Sequence, residues 1–77
     1  MDKNEFEGKW KEIRSQSKTW WRLLTDSDLN MVERASSKYF EFVTRLQLRY
    51  ELDRQVTKDI IGRRVAKYEA SLKPAKA

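Results

Sequence analysis

Apolar side chains recur along the first third of the chain at intervals of three and four residues, with polar side chains between them. At about 100° per residue these positions fall within one arc of a helical wheel, which is the pattern of a helix with one buried face. The stripe consists of Phe6, Trp10, Ile13, Ser17, Trp20, Trp21 and Leu24. It predicts a first helix from about residue 4 to residue 24.

A helix-starting sequence follows this stripe, in the segment from Leu24 to Leu29 that reads L-T-D-S-D-L. Thr25 followed three residues later by Asp28 is close to a capping box, in which each side chain accepts a hydrogen bond from the other residue's backbone N–H. Asp26 and Asp28 also place carboxylates at the positive end of the helix dipole. A second helix is therefore predicted from about residue 26, and the junction indicates a helical hairpin.

The next region has two interpretations. An apolar stripe runs through it without a gap and favours one long helix to about residue 51. Ser36 and Ser37 weaken a helix and are good N-cap residues, which instead gives a short helix followed by a longer one, and we favour this break. The stripe consists of Val32, Ala35, Tyr39, Phe42, Val43, Leu46 and Tyr50.

Asp53 is a suitable N-cap for a last helix from about residue 54 to residue 72. Its apolar face consists of Ile60, Ile61, Val65, Tyr68 and Leu72, with Thr57 and Arg64 inside it. The whole pattern predicts an all-α fold, a small bundle of three to four helices at about residues 4–24, 26–35, 37–51 and 54–72, the second being short or merged with the third. We expect a single domain of residues 1–72 and a disordered tail of residues 73–77.

The composition narrows the chemistry. The chain has no cysteine and no histidine, so it lacks a disulfide framework, a thiolate nucleophile and the preferred ligands of a zinc site. We expect no cofactor, no metal and no enzyme, since the carboxylates mostly lie at helix starts or in surface pairs. The N-terminus is charged, and no apolar run approaches the roughly 18 residues of a membrane span. We therefore expect a cytoplasmic protein without a transmembrane segment.

The net charge of +5 raises the question of an anionic partner. Arg14, Lys18 and Arg22 lie on one side of the first helix next to Trp21, and this basic row is the candidate site for a nucleic acid or an anionic surface. The plainer alternative is a solvated face that complements the negative end of the helix dipole. Trp21, like the other two tryptophans, has an alternative role as a core side chain rather than a platform for nucleobases.

Oppositely charged residues four positions apart offset much of the remaining charge, at a few tenths of a kcal/mol for each pair. These pairs are Glu5 with Lys9, Glu7 with Lys11, Glu41 with Arg45 and Asp59 with Arg63. A second, weaker basic cluster of Arg63, Arg64 and Lys67 lies on the last helix, where Arg64 is expected to extend from the apolar stripe to solvent.

Phe40 lies at the edge of the apolar stripe of its helix, and Leu48 lies opposite the stripe. Together they are a candidate contact for weak self-association. The expected state is therefore a monomer or a weak homo-oligomer.

Three motifs, taken in order, resemble the CsbD-like family of small bacterial stress-response proteins. They are G-K-W-K-E-I at Gly8 to Ile13, L-T-D-S-D-L at Leu24 to Leu29, and L-R-Y-E at Leu48 to Glu51. The resemblance covers about residues 1 to 69 and implies a bundle of short helices, accumulation under general stress and no established molecular activity. The chain departs from the family pattern where Ala35 and Ser36 replace a glycine, and where Glu51 stands in place of the glycine that often follows the tyrosine.

Two functional hypotheses follow from these observations. The first is a non-enzymatic stress-response protein that acts by binding or by abundance. The second is a nucleic-acid or anionic-surface binding module that uses Arg14, Lys18 and Arg22 beside Trp21. The sequence names no ligand, no partner and no inducing stress.

Overall fold

Residues 1–72 are described by a computed structural model, and within that range the chain forms five α-helices and no strand. The helices are α1 (Lys3–Gly8), α2 (Trp10–Trp20), α3 (Asp26–Arg34), α4 (Lys38–Tyr50) and α5 (Arg54–Leu72). The predicted all-α bundle is confirmed. The tail predicted for residues 73–77 lies outside the described residues.

The predicted side-chain caps set the starts of α3 and α4. Thr25 Oγ1 accepts from the Asp28 backbone N–H at 3.1 Å, and Asp28 Oδ2 accepts from the Thr25 N–H at 3.0 Å, so the capping box is complete. Ser37 Oγ accepts from the Phe40 N–H at 3.4 Å. The favoured break between the second and third predicted helices is therefore confirmed, because α3 ends at Arg34 and α4 begins at Lys38.

The single first helix predicted for residues 4–24 is wrong in two places. It is divided at Lys9, whose N–H donates to the Phe6 carbonyl at 3.1 Å in a tightened last turn, and Gly8 favours this division because glycine has low helix propensity. The helix also ends at Trp20, since Trp21 has an extended backbone with φ −130° and ψ 93°. This extended residue turns the Trp21 ring away from the path that a continuing helix would give it.

Helix α4 is the centre of the bundle and packs against α1, α3 and α5. Its Phe42 ring is fully buried, and three other aromatic rings surround it. The centroid distances from Phe42 are 5.2 Å to Phe6, 5.9 Å to Trp10 and 5.6 Å to Trp21. Aromatic rings bury large areas of surface, so this cluster gives a chain of 77 residues a core that small aliphatic side chains would not fill.

Several residues of the predicted apolar stripes are not fully buried, and two of them, Trp20 and Leu72, are instructive. Trp20 is only partly buried and packs at the edge of the core, and Leu72 at the end of α5 is 59% exposed. Trp21 is 8% exposed and belongs to the core, so its predicted alternative role as a core side chain is confirmed. Because α2 ends at Trp20, helical phase no longer sets the direction of the Trp21 side chain.

A buried carboxylate joins α3 to α4. Asp28 is 2% exposed, and its two oxygens accept hydrogen bonds from Arg49 Nε at 2.8 Å and Arg49 Nη2 at 3.1 Å. Arg45 Nη1 lies 3.5 Å from Asp28 Oδ1. The same carboxylate therefore caps α3 and binds two arginines of α4.

The end of α4 requires an uncommon backbone conformation. Glu51 has φ 53° and ψ 50°, in the left-handed region, and it is the only non-glycine residue with positive φ among those described. Left-handed residues that end a helix are usually glycine, since a Cβ is strained there. The CsbD-like pattern often has a glycine at the position of Glu51. This chain therefore keeps the left-handed turn without the residue that favours it.

Candidate functional site

Two members of the predicted basic row bind α3 rather than facing solvent freely. Arg14 donates to the Leu29 carbonyl at 3.1 Å, to Asn30 Oδ1 at 3.0 Å and to Glu33 Oε1 at 3.3 Å. Lys18 Nζ lies 2.6 Å from Asp26 Oδ1. Both contacts join α2 to α3, so these two charges already have partners within the protein.

The ion pair of Lys18 and Asp26 lies on the surface. The hydrogen bond from Lys18 holds the pKa of the Asp26 carboxyl below its ordinary value, and the Coulombic attraction of the same lysine adds to this effect. Both side chains are more than half exposed, and pairs of this kind contribute little to stability.

The other two residues of the row separate from each other. Trp21 is buried, with its ring edge-on to Trp20 at a centroid distance of 5.6 Å. Arg22 is exposed and makes no ion pair with the residues described. The structure thus does not bring Arg14, Lys18, Arg22 and Trp21 together on one free face. Whether the row binds an anion stays a prediction.

Trp21 instead meets the second basic cluster. A groove with a volume of about 220 Å³ lies between the α2–α3 connection and α5. We call it the α5 groove, and its lining residues are Trp21, Ile60, Arg63, Arg64 and Lys67. The four residues from α5 have the spacing of one helical face. The groove therefore combines an apolar floor with three cations and has no carboxylate in its lining.

The burial of the opposite side of α5 sets the position of this face. Thr57, Ile61 and Val65 are buried on the side toward the core. At the other end of the helix, the Tyr68 hydroxyl donates to Glu12 Oε2 at 2.6 Å. Lys9 Nζ lies 2.7 Å from Glu69 Oε2. These contacts hold α5 against the first two helices and place its basic face beside Trp21.

Arg64 is the most constrained cation of the groove. Its guanidinium lies 5.1 Å from the Trp20 ring centroid, within the range of a cation–π interaction. Its Nε is buried and has no hydrogen-bond partner within residues 1–72. Arg63 and Lys67 are exposed. The groove thus has one cation fixed at its floor and two at its rim.

The rim cations have no acidic partner in the described part of the chain. The pair predicted between Asp59 and Arg63 is not formed, and Asp59 Oδ1 instead accepts from Gln55 Nε2 at 3.2 Å. Of the four predicted pairs only Glu41 with Arg45 is confirmed, at 3.0 Å. The failure of the Asp59 pair leaves Arg63 available to a ligand.

The remaining two predicted pairs are replaced by contacts between helices. Lys9 binds Glu69 rather than Glu5. Glu7 does not pair with Lys11 and accepts instead from the Lys38 backbone N–H at 3.2 Å. Each replacement joins α1 or its end to a distant helix, so these charges contribute to the packing of the bundle.

The chemistry of the α5 groove is that of anion binding. Arginine and lysine are donors for phosphate and carboxylate oxygens, and the apolar floor can bury part of a ligand. Within residues 1–72 no group of three carboxylates lies close enough to hold a metal ion. None of the five described helices is long and apolar enough to cross a membrane. Phe40 and Leu48, the candidate self-association contact, are 61% and 63% exposed, and their role stays a prediction.

Sequence reasoning found the parts of this groove but not their association. It named Trp21 with the row on α2 and the three cations on α5 as a separate cluster. A local signal was present, since Ile60, Arg63, Arg64 and Lys67 follow helical spacing. The position of Trp21 depends on where α2 ends, which the apolar stripe did not indicate.

Comparison with known proteins finds relatives whose sequence similarity extends over most of this chain. It is similar to a UPF0337 protein of Pectobacterium atrosepticum, with 34% identity over 71% of this chain and 75% of the relative. A UPF0337 protein of Rhodopseudomonas palustris shares 38% identity over 78% of this chain and 88% of the relative. The UPF0337 protein YjbJ of Escherichia coli shares 32% identity over 79% of this chain and 86% of the relative. No family model matches the chain. No solved structure matches it either.

Proposed function

The chain belongs to the UPF0337 family, and from this premise we propose that it is a non-enzymatic protein that binds an anionic partner through the α5 groove. The observation that carries the proposal is the lining of that groove by three cations, a tryptophan and an isoleucine, without a carboxylate. Cations beside an apolar surface attract an anion and also contribute contact area. Elsewhere in the described chain, several cations are engaged in contacts between helices, among them Lys9, Arg14 and Arg49.

The absence of catalytic groups from the groove supports binding rather than catalysis. General acid–base and nucleophilic catalysis require a carboxylate, imidazole, thiol or activated hydroxyl or amine near the substrate. The groove lining has only arginine, lysine, tryptophan and isoleucine, and Lys67, the one amine among them, is exposed rather than desolvated as an activated lysine is. We therefore propose that the partner leaves the groove chemically unchanged.

A ring-free polyanion tests the proposal without assuming a ligand class. Anisotropy of end-labelled inorganic polyphosphate is measured against wild type and against the double variant Arg63→Gln/Lys67→Gln. We expect binding that weakens steeply as salt rises and that is largely lost in the double variant. The matched control is Lys11→Gln/Arg34→Gln, which removes the same charge from exposed residues outside the groove lining and should bind as wild type does. Equal loss in both variants, or no binding by wild type at low salt, would contradict the proposal.

The same sample tests the non-enzymatic part. Polyphosphate that has been incubated with stoichiometric protein is sized by gel electrophoresis. We expect its length distribution to stay as it was before incubation. Shortening that depends on the protein would show turnover and would remove this part of the proposal.

The physiological setting proposed here is accumulation in the cytoplasm under general stress. Its support is the likeness to CsbD-like proteins, which form the UPF0337 family, together with the three motifs that carry it. Immunoblots of fractionated cells, taken during growth and after osmotic, heat or nutrient stress, measure both amount and location. We expect a rise in the cytoplasmic fraction, and a constant amount under all three stresses would contradict the proposal.

A further inference from the structure

The α5 groove is too small to enclose a whole ligand. Its volume is about 220 Å³, below the roughly 300–1,000 Å³ of sites that bury drug-sized molecules. The apolar floor of Trp21 and Ile60 offers contact for about one ring, and the rest of a ligand would lie outside the groove. A site that receives one unit and leaves the remainder in solvent suits a polymer.

The cations lie along the path that such a polymer would follow. Arg63 and Lys67 are one helical turn apart, so their backbones are separated by about 6 Å along the axis of α5. Arg64 lies between them in sequence, and its guanidinium is held beside the Trp20 ring at 5.1 Å. Three positive charges within one turn, next to an apolar floor, match repeated phosphates that alternate with rings.

From this arrangement we infer that the α5 groove binds single-stranded nucleic acid, with one unstacked base against Trp21 and Ile60 and phosphates on Arg63, Arg64 and Lys67. The inference rests on the proposed function and names its ligand class. Proteins that bind single strands without sequence preference combine basic side chains with aromatic contacts to the bases. With the three cations on phosphates, no polar side chain of the groove lining remains to read a base edge, so we expect little discrimination among bases.

The other anionic polymers and surfaces use only part of the groove. A helix that lies in a membrane interface carries an apolar face beside its cations. The exposed residues near the rim cations are instead a carboxylate, Asp59, and two small side chains, Ala66 and Ala70. A duplex keeps its bases stacked and paired, so it presents phosphates but no free ring to the floor. A single strand uses both the cations and the apolar floor.

Strands with and without bases test the inference on the unmodified protein. Labelled strands of about 12 nucleotides, a length within the range of single-strand binding sites, are compared by anisotropy. The set consists of oligo(dA), an abasic strand of the same length and a duplex. We expect oligo(dA) to bind about fivefold more tightly than the abasic strand, the lower end of the range for one base contact, because only 8% of Trp21 is exposed.

The salt dependence counts the phosphate contacts. Three cations on a single strand give a slope of log affinity against log salt of about −2.1, so affinity should fall about 18-fold between about 50 and 200 mM salt. Arg63→Gln/Lys67→Gln should reduce the slope to about −0.7. The control Lys11→Gln/Arg34→Gln should leave the slope unchanged, and circular dichroism confirms that both variants are folded.

Each outcome has a separate meaning. If polyphosphate binding depends on the groove but the abasic strand binds as tightly as oligo(dA), the ligand class is overturned and the proposed function stands. If neither polyphosphate nor any strand binds at low salt, both are overturned. Sedimentation with phosphatidylserine vesicles provides the last arm. Vesicle binding that is lost in Arg63→Gln/Lys67→Gln, without strand binding, overturns the inference in favour of a membrane.

Discussion

Replacing Asp28 with asparagine removes one charge from the buried ion pair between α3 and α4 while keeping the shape of the side chain. Every group that faces the carboxylate is a hydrogen-bond donor, namely Arg49, Arg45 and the backbone and hydroxyl of Thr25. An asparagine amide has one acceptor oxygen, so either orientation points its NH₂ group at donors. The substitution therefore loses hydrogen bonds without opening a cavity.

The expected cost follows from the burial of the carboxylate. Removing one partner of a buried ion pair costs about 3–5 kcal/mol. Asp28 is 2% exposed, but the Arg49 side chain is 42% exposed and its charge can still be hydrated. We therefore expect the lower end, about 3 kcal/mol, which lowers the Tm of a domain of this size by roughly 12–24 °C.

Thermal and urea unfolding at pH 7, followed by circular dichroism, measure this loss. The matched control is Asp26→Asn, a change of the same residue type in the first turn of the same helix, where the carboxylate pairs with Lys18 on the surface. We expect the control to shift the Tm only slightly. A loss in Asp28→Asn no larger than that of the control would refute the reasoning.

The pH dependence gives a second test with a defined sign. Burial raises the pKa of Asp28, but hydrogen bonds from Arg49 and Thr25 outweigh it, so the net pKa lies below the ordinary value of 3.8. The folded state therefore binds the proton more weakly than the unfolded state, and this stabilisation is present above the unfolded pKa. It is lost as the pH falls through the folded pKa. The difference between wild type and Asp28→Asn should be constant from pH 7 to about 5 and shrink as the pH falls below about 4, and a difference that stays constant on acidification would contradict the assignment.

Three further substitutions are measured by the same unfolding assays. Glu51→Gly should raise the free energy of unfolding by roughly 0.5–1 kcal/mol, because it removes the Cβ from a residue in the left-handed region. Glu51→Ala, which keeps the Cβ, should give no gain, and equal effects of the two substitutions would contradict backbone strain at this residue. Gly62→Ala should stabilise α5 by up to about 1 kcal/mol, because the new Cβ meets its nearest atoms at 3.8 Å, an ordinary contact; a loss would show that this site is tighter. Trp10→Phe should cost about 2 kcal/mol, because it removes the 2.7 Å hydrogen bond from the indole to Glu33. Trp20→Phe, which loses no such bond, is its control, and equal losses would contradict a role for the hydrogen bond.

Local signals in the sequence were sufficient for most of the fold. The capping box of Thr25 and Asp28 and the serine cap at Ser37 depend only on residues three apart, so both helix starts were predicted correctly. The division at Lys9 was missed because an apolar stripe continues across it, and periodicity does not register one tightened turn. The core role of Trp21 was predicted, but its contact with the cations of α5 was missed, since the direction of its side chain depends on an extended residue rather than on helical phase.

The candidate site was harder to predict from the sequence, because its contacts join residues far apart in the chain. The Tyr68 hydroxyl donates to Glu12, 56 residues away in the sequence. Lys9 pairs with Glu69 rather than with Glu5. A rule for residues four apart cannot anticipate partners that only the packing of α5 against α2 supplies. The cations of α5 were found from the sequence, while their association with Trp21 required the packed helices.

The Trp21 indole separates the interior of the bundle from the surface groove and contacts both. On one side it meets Phe42 at a centroid distance of 5.6 Å, and on the other it lines a solvent-facing depression. Variation at this position is therefore restricted twice, since a smaller ring opens a void in the interior and a polar one is left without a partner there. Diversity among homologous grooves should instead arise at Arg63 and Lys67, which can be exchanged without disturbing the interior.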